Sequence, residues 1–261
     1  MRAKIAVRGL RHEYLNPFTR ERVTALDGVD LEVAEGEFLT VVGPSGCGKS
    51  TLLGILAGLL VPTQGEVLLD GRPVTGPGPD RGVVFQEFAI LPWRTVERNI
   101  ANGLEIQGVP KAERATVVQR FVELVGLTGF ERKYPHELSG GMKQRVAVAR
   151  TLAADPQVIL MDEPFAAVDA QTRLTLQEEL NAIAQATRKT ILFVTHNVEE
   201  AVFLGDRCCV LSRRPGRVKA LVPVSIPRPQ RTWRLFTSDS AFDAAKERVL
   251  QLVREEVSGV T

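Results

Sequence analysis

The sequence predicts an α/β protein: a mostly parallel sheet with helices on both faces, an antiparallel β portion at the N-terminus and an inserted helical subdomain. Three observations predict it. Short apolar runs, typical of buried parallel strands, recur between helical patterns. A glycine-rich segment joins one such run directly to a helix. Strand signals are missing between residues 87 and 154, where the pattern is helical.

The individual elements follow from these patterns. Near the N-terminus, apolar segments between turn residues predict strands, at Lys4–Arg8, Val29–Val33 and Gly65–Leu69. Apolar runs predict the parallel strands, at Glu37–Val42, Val83–Phe85, Val158–Met161, Ile191–Val194 and Cys208–Leu211. Apolar residues at helical spacing predict helices, at Lys49–Leu60, Val96–Ile106, Lys111–Val125, Gly140–Ala153, Gln171–Ala186 and Ser240–Glu256.

We therefore expect a single domain with three parts. Residues 1–86 and 155–211 form the α/β core with its β portion, and residues 87–154 form the helical subdomain. Residues 212–261 form a basic, proline-rich segment and a C-terminal helix. In that helix Ser240 and Asp243 are predicted to form a capping box, and one apolar face is predicted, at Phe242, Ala245, Val249 and Leu252.

Composition narrows the class of protein. Among the 261 residues, 44% are apolar and 25% are charged, which is ordinary for a globular chain with a sizeable core. A net charge of +2 gives no reason to expect a nucleic acid partner. No apolar run is long enough to span a bilayer, and Met1–Ile5 lacks a signal-peptide core. We therefore expect a cytosolic chain that reaches a membrane only through a partner. The three cysteines lack C-x-x-C spacing, so they suggest neither disulfides nor zinc.

The glycine-rich segment has the spacing G-x-x-x-x-G-K-[ST] of a phosphate-binding loop. It reads Gly43-Pro44-Ser45-Gly46-Cys47-Gly48-Lys49-Ser50-Thr51. Small residues are needed because successive backbone N–H groups must point at phosphate oxygens without a Cβ in the way. Lys49 is expected to reach the β- and γ-phosphates of ATP, and Ser50 to ligate Mg²⁺.

Two acids follow a second apolar run, Val158–Met161. Asp162 is expected at the carboxyl end of a buried strand, where open α/β sheets bind ligands. We predict that it holds Mg²⁺, directly or through water. Glu163 is the candidate general base, which would polarise the water that attacks the γ-phosphate.

The most specific segment is Leu138-Ser139-Gly140-Gly141-Met142-Lys143-Gln144-Arg145. A serine and two glycines at a helix N-terminus form an anion site with a favourable helix dipole. With the two earlier motifs, in this order, the chain resembles the ATP-binding subunit of an ABC transporter, which has a P-loop NTPase core. The resemblance implies that Ser139, Gly140 and Gly141 face the γ-phosphate held by a second ATPase chain, so we expect a dimer, most simply a homodimer.

The same resemblance implies further roles. Gln86 follows a strand and matches the glutamine that contacts Mg²⁺ and the attacking water, and His196 matches the histidine that contacts the γ-phosphate. Asp169, in Ala166-Ala167-Val168-Asp169, occupies the position that couples the two sites of a dimer. Tyr14 is the candidate for stacking on adenine, with Phe18 as a competitor.

Two segments resemble the ATPase subunits of bacterial importers of nitrate, sulfonate, taurine and related small anions. They are Gly76–Gln86 and Leu91-Pro92-Trp93-Arg94-Thr95-Val96. Leu91, Pro92 and Trp93 are expected to line an apolar groove near Gln86 for an amphipathic helix of a membrane permease. The chain would then be peripheral to the cytoplasmic face of the inner membrane and would act indirectly with a solute-binding protein.

Several alternatives stay open at this stage. The chain could be a soluble ABC-type ATPase that is not coupled to transport, although no stretch fits a long coiled coil. Cys47, inside the phosphate loop, is either a reactive thiol with a lowered pKa or simply a small loop residue. The basic segment Ser212–Arg234 either contacts anionic lipid or is a solvated surface, and its prolines favour the surface.

Overall fold

A computed structural model describes residues 3–166 and 168–258. Met1 and Arg2, part of the segment judged to lack a signal-peptide core, lie outside the described residues, as does Ala167. The chain divides into two compact units. The first unit comprises Met1–Gly78 and Arg188–Thr261, and the second comprises Pro79–Thr187.

The strands of the described residues are, in chain order, β1 (Ala3–Leu15), β2 (Arg22–Ala34), β3 (Phe38–Val42), β4 (Gln64–Leu69), β5 (Arg72–Pro73), β6 (Arg81–Val84), β7 (Val158–Asp162), β8 (Thr190–Val194), β9 (Arg207–Leu211) and β10 (Val218–Pro223). The helices are α1 (Lys49–Leu56), α2 (Val96–Ile100), α3 (Asn102–Ile106), α4 (Lys111–Leu124), α5 (Gly140–Ala153), α6 (Ala170–Thr187), α7 (Val198–Leu204), α8 (Trp233–Phe236) and α9 (Ser240–Ser258).

Two groups of strands build the first unit. An antiparallel sheet has the order β2-β1-β4-β5, as the N-terminal β patterns predict. The second group has the order β10-β9-β3-β8, with β3 parallel to both of its neighbours and β10 antiparallel to β9. All five residues of β3 are buried, which explains why its sequence is continuously apolar rather than alternating.

In the second unit β6 and β7 pair in parallel, with Val84 opposite Met161. The helices between them in the chain are α2 to α5. Helix α5 packs closely on β6, because a Cβ on Gly82 would lie only 2.4 Å from Cγ2 of Thr151. The second unit, Pro79–Thr187, is longer than the predicted helical subdomain, residues 87–154. The bounds of that subdomain therefore stay a prediction.

Some helices end at other residues than predicted, and in α1 the cause is a glycine in a left-handed conformation. Helix α1 ends at Leu56, four residues before the predicted end, and Gly58 has a left-handed φ of 76°. A Cβ on Gly58 would lie 2.2 Å from the carbonyl of Gly76, so this turn accepts only glycine. The predicted helix Val96–Ile106 is two short helices, whereas α5 has the predicted bounds.

The interpretation of Ser212–Arg234 as a solvated surface was wrong in part. Strand β10 lies inside it, and Val222, Val224 and Ile226 are buried at every second position. Prolines are compatible with β10 because it is the last strand in its order. Arg231 is buried as well, and its guanidinium donates to the carbonyl oxygens that end α7.

Helix α9 covers part of the first unit. Its predicted apolar face is confirmed, because Phe242, Ala245, Val249 and Leu252 are all buried. The predicted capping residues were wrong: Asp239 precedes the helix, and its carboxylate accepts a hydrogen bond from the N–H of the second helical residue at 2.8 Å. Among the described residues, no helix is both long and apolar enough to cross a membrane.

Arg231 should therefore contribute strongly to stability. Its Nη1 lies 3.0 Å from the carbonyl oxygen of Leu204 and 2.9 Å from that of Gly205, and Nε lies 2.9 Å from that of Ile226. Arg231→Ala leaves these buried acceptors without a donor, so the free energy of unfolding should fall by about 3 kcal/mol in urea titrations. Arg234→Ala, an exposed control in the same segment, should change it by less than about 0.5 kcal/mol. Equal losses in the two variants would contradict this role.

Candidate nucleotide-binding site

The predicted phosphate loop connects β3 to α1 in the first unit. Gly46 and Gly48 both have left-handed φ angles, 73° and 103°. A Cβ on Gly48 would lie 2.6 Å from Cδ2 of Leu26 and 2.9 Å from the carbonyl oxygen of Ala25. Glycine is therefore required at the residue before α1 both by its dihedral angles and by its neighbours. The loop therefore lies directly before the N-terminus of α1, the positive end of the helix dipole.

Lys49 closes the loop. Its side chain is buried, and its ammonium donates to the carbonyl oxygens of Gly43 at 2.9 Å and of Pro44 at 3.0 Å. Ser45 and Ser50 are exposed. A cation over a helix N-terminus with exposed hydroxyls and left-handed glycines has the chemistry of an anion site, so these residues fit a phosphate group.

Tyr14 is fixed beside this loop. Its hydroxyl lies 3.1 Å from Oγ1 of Thr51, and its ring meets the edge of His12 at a centroid distance of 4.7 Å. The ring is still 43% exposed. Phe18 is 94% exposed in a turn beyond β1. Since a stacking partner must be held in place before the base arrives, this geometry favours Tyr14 over Phe18.

His196 follows β8, beside the strand that enters the phosphate loop. The N–H of Thr195 donates to the carbonyl oxygen of Val41 at 3.1 Å, so the ends of β3 and β8 are joined. The Thr195 hydroxyl bonds to the buried Glu200, and Asn197 caps α7 by accepting from the N–H of Glu200. His196 is exposed between these fixed residues, at the carboxyl edge that also carries the loop.

In the second unit, three predicted residues lie at one strand edge. Val84 pairs with Met161, so Gln86 follows β6 at the same edge at which Asp162 ends β7. Glu163 follows with a φ of 42°, a left-handed conformation that is unusual for glutamate. Carboxylate and amide oxygens are hard ligands of the kind that Mg²⁺ takes, so Gln86 and Asp162 fit that ion chemically.

Ser139 is the N-cap of α5. Its hydroxyl accepts a hydrogen bond from the N–H of Met142 at 3.3 Å, and Gly140 begins the helix. Both residues are exposed. The predicted helix start is thus confirmed, and it leaves an exposed helix N-terminus carrying a hydroxyl.

The start of α5 packs against the start of α6. A Cβ on Gly141 would lie 2.7 Å from Cγ2 of Thr172, so the third residue of the motif must be glycine. Oδ1 of Asp169 accepts from the N–H of Thr172 at 3.0 Å, and this hydrogen bond lowers the pKa of the Asp169 carboxyl. Thr172 thereby connects Asp169 to the Ser139-Gly140-Gly141 motif within the second unit.

Asn99 is a residue that the sequence motifs did not reveal. Its side chain is fully buried and holds the segment after Gln86: Oδ1 accepts from the N–H of Leu91 at 2.7 Å, and Nδ2 lies 2.9 Å from the carbonyl oxygen of Arg94. Asparagine is usually exposed, so its residue type did not predict burial. The one available signal was its position in the first helix after the Leu91-Pro92-Trp93 segment.

Arg150 is a second residue that the motifs did not reveal. It lies near the end of α5, and its Nη1 donates to the carbonyl oxygen of Ala89 at 2.7 Å. Burial lowers the pKa of this guanidinium. Since Ser139 caps the start of α5, the helix connects that serine to the segment after Gln86 inside one unit.

The proposal of a reactive Cys47 with a lowered pKa was wrong. The side chain is 1% exposed, and burial raises the pKa of the thiol despite the nearby ammonium of Lys49. Desolvation of the thiolate thus outweighs the favourable charge and helix dipole. The other interpretation, a small residue of the loop, agrees with its packing.

Comparisons with known proteins agree with these features. A family model described as ABC transporter matches residues 26–166. An uncharacterized ABC transporter ATP-binding protein of Methanocaldococcus jannaschii is 53% identical over 98% of this chain and 94% of its own length. The nitrate import ATP-binding protein NrtD of Synechocystis is 49% identical over 82% of this chain and 80% of its own length. The bicarbonate transport ATP-binding protein CmpC of Synechococcus elongatus is 46% identical over 89% of this chain, but over 35% of its own length.

A solved structure, a dimeric ATP-binding cassette in a post-hydrolysis state bound to ADP and Pi, superposes with a TM-score of 0.75. It is 31% identical in sequence and covers 85% of this chain and 100% of its own. The fold is that of an ATP-binding cassette, and the predicted fold class is confirmed. The chain belongs to the ABC transporter family, as an ATP-binding subunit that hydrolyses ATP.

The buried thiol makes a direct prediction. Because burial raises the pKa of Cys47, its thiolate fraction at neutral pH is lower than that of a free cysteine. Iodoacetamide should therefore leave Cys47 unmodified in the folded protein at neutral pH, and mass spectrometry should find it labelled only after unfolding in urea. Rapid labelling of the folded chain that ATP prevents would instead restore the reactive-thiol hypothesis.

Proposed function

We propose that this chain is the ATP-hydrolysing subunit of an importer of a small anion such as nitrate, a sulfonate or taurine, acting through a separate membrane permease. The observation that carries the proposal is an exposed tryptophan on a rigidly held segment, in a chain related to import and transport ATP-binding proteins. Trp93 is 70% exposed, although large aromatic side chains are usually buried when they have no partner.

The segment that presents Trp93 is preorganised. Nδ2 of Asn99 lies within 3.1 Å of the carbonyl oxygens of Leu91 and Thr95. The guanidinium of Arg94 pairs with Glu105 at 2.6 Å. A backbone segment that is already held in place loses little conformational entropy on binding, so this surface suits a short amphipathic helix of a permease.

We assign each part of the reaction to the predicted residues. The loop Gly43–Thr51 would bind the phosphates, with Lys49 on the β- and γ-phosphates, and Tyr14 would stack on adenine. Glu163 would polarise the attacking water as general base, and His196 would contact the γ-phosphate. Ser50, Gln86 and Asp162 would hold Mg²⁺, which supplies positive charge for the leaving phosphate oxygens.

The exposed helix start at Ser139 supports a shared reaction. We propose that Ser139, Gly140 and Gly141 of one chain complete the phosphate site of a second copy, and that Asp169 couples the two sites. The solved relative is dimeric, and the exposed N-terminus of α5 has the free N–H groups and helix dipole that favour an anion. An ATP-dependent homodimer is the simplest assembly of this kind.

The remaining parts of the proposal concern organisation and location. Residues 87–154 would move as a helical subdomain around Gln86, within a single ATPase domain. The chain would lie on the cytoplasmic face of the inner membrane, held there by the permease, and a solute-binding protein would deliver the anion outside. ATP hydrolysis would then drive the alternating access of the permease.

Glu163→Gln tests the general base. Hydrolysis of saturating ATP should fall by about 10²- to 10⁴-fold, because the amide cannot accept the proton of water. ATP affinity should stay near its natural value, and size-exclusion chromatography with MgATP should show a trapped dimer. Lys49→Ala is the control that should lose ATP affinity itself.

Ser139→Arg separates the dimer from the single site. Added to Glu163→Gln, it should keep ATP binding and abolish the trapped dimer, because a large cation then occupies the exposed helix start. Normal turnover by Glu163→Gln would contradict the general-base role. A dimer that persists with Ser139→Arg would contradict the shared phosphate site.

Trp93→Ala tests the docking surface. In cells that carry the variant in place of the natural gene, uptake of labelled nitrate, sulfonate or taurine should drop, since losing a central tryptophan weakens an interface by about 2 kcal/mol, roughly 30-fold. ATPase activity of the purified chain should stay within about twofold. Ile106→Ala, equally apolar and 80% exposed in the same unit, is the matched control and should leave uptake intact.

Two results would each contradict one part of the proposal. One is natural uptake of every tested anion when the gene is deleted, which would show that the chain does not energise their import. The other is equal uptake by Trp93→Ala and the natural chain, which would remove Trp93 from the permease contact while leaving the ATPase assignment in place.

A further inference from the structure

The turn between β9 and β10, Ser212–Arg217, lies directly against the phosphate loop. A Cβ on Gly216 would lie 2.1 Å from the carbonyl oxygen of Cys47. A Cβ on Gly43 would lie 2.9 Å from the carbonyl oxygen of Leu211, the last residue of β9. The backbone of the loop therefore meets neighbouring backbone at two points, Gly43 and Cys47, and neither Gly43 nor Gly216 can carry a side chain without a shift of the loop.

Strand β2 holds this turn from the other side. The N–H of Gly216 donates to the carbonyl oxygen of Ala25 at 2.8 Å, and the N–H of Asp27 donates to that of Gly216 at 3.1 Å. Between them the side chain of Leu26 lies 2.6 Å from a Cβ position on Gly48 and 3.2 Å from one on Gly216. The turn and β2 are thus bonded to each other, and both pack against the phosphate loop.

Hydrogen bonds inside the turn keep its shape. Oγ of Ser212 accepts from the N–H of Arg217 at 3.0 Å and lies 3.1 Å from the carbonyl oxygen of Pro215. The N–H of Ser212 donates to the carbonyl oxygen of Arg217 at 2.9 Å, and the Arg217 guanidinium pairs with Asp27 of β2. Arg214, in contrast, is exposed at the tip of the turn.

We propose that the turn Ser212–Arg217 is a positioning element for the phosphates of ATP, with Gly216 and Ser212 as its main residues. It acts through the loop Gly43–Thr51, so the proposal rests on the phosphate-binding role proposed for that loop. Backbone N–H groups bind an anion well only when they are held in place before it arrives. The contact at Cys47 fixes the peptide that immediately precedes Gly48 and the start of α1.

Two variants test this positioning role through nucleotide affinity. Ser212→Ala loosens the turn without adding atoms, and Gly216→Ala pushes on the loop directly. The KM for ATP and the Kd for ADP should rise about fivefold in the first variant and more than tenfold in the second. The kcat at saturating ATP should stay within about twofold, because Glu163 and its neighbours are unchanged. If Gly216→Ala does not fold, Ser212→Ala decides.

Matched controls separate positioning from stability and from charge. Gly76→Ala places a Cβ in open space in the same unit and should leave the KM unchanged. Arg217→Ala and Arg214→Ala each remove one positive charge from the turn, but only Arg217 bonds to β2, so only Arg217→Ala should raise the KM. Urea unfolding without nucleotide measures the stability of each variant.

Three outcomes would overturn the proposal. The first is lower stability with natural ATP and ADP affinity in both Ser212→Ala and Gly216→Ala, which would show that the turn has a purely structural role. Equal KM increases in Arg214→Ala and Arg217→Ala would show attraction by charge. An increase in KM by Gly76→Ala equal to that by Gly216→Ala would show a general effect of packing. Natural ATP affinity in Lys49→Ala is a separate result, which would refute the phosphate-loop assignment itself.

Discussion

The central constraint in this protein is that the phosphate loop has no space on its inner side. Gly43, Gly48 and Gly216 each stand where a Cβ would overlap a carbonyl oxygen of a neighbouring segment. The loop is consequently held by backbone contacts from β2 and from the turn after β9, together with the side chains of Leu26 and Lys49. A loop fixed in this way can direct its N–H groups outward, which is the condition for binding phosphate by the main chain.

The same unit fixes His196 through the helix that follows it. Helix α7 is only seven residues long, so both of its ends matter to its stability. Asn197 caps the start, and Arg231 bonds to the carbonyl oxygens at the end. The ring of Phe203 stacks on that of Trp233 at 4.4 Å, which covers the helix with the C-terminal segment. The C-terminal segment is therefore part of the structure that positions the edge carrying His196.

Local patterns in the sequence predicted much of this molecule, and tertiary contacts explain the rest. The bounds of α5 and the strand before Asp162 were predictable because a serine cap and a continuous apolar run are local signals. The burial of Cys47 was not predictable, because it depends on segments distant in the chain. Asn99 and β10 bond to residues near them in the chain, but their burial depends on the packing around them, which a local pattern does not show. Cys47 shows the limit well: the helix dipole that should acidify its thiol is visible in the sequence, but the desolvation that outweighs it is not.

The backbone at Glu163 gives an argument for function that is independent of any relative. A left-handed conformation costs a glutamate about 1 to 3 kcal/mol relative to an allowed one, and glycine adopts it readily. The turn after β7 is stabilised by the N–H of Ala166, which donates to the carbonyl oxygen of Glu163 at 3.1 Å and does not need a carboxylate. The backbone conformation alone would thus favour glycine at this position. The chain instead carries a carboxylate at the carboxyl edge of β7, directly after Asp162, which is where a general base for hydrolysis would be useful.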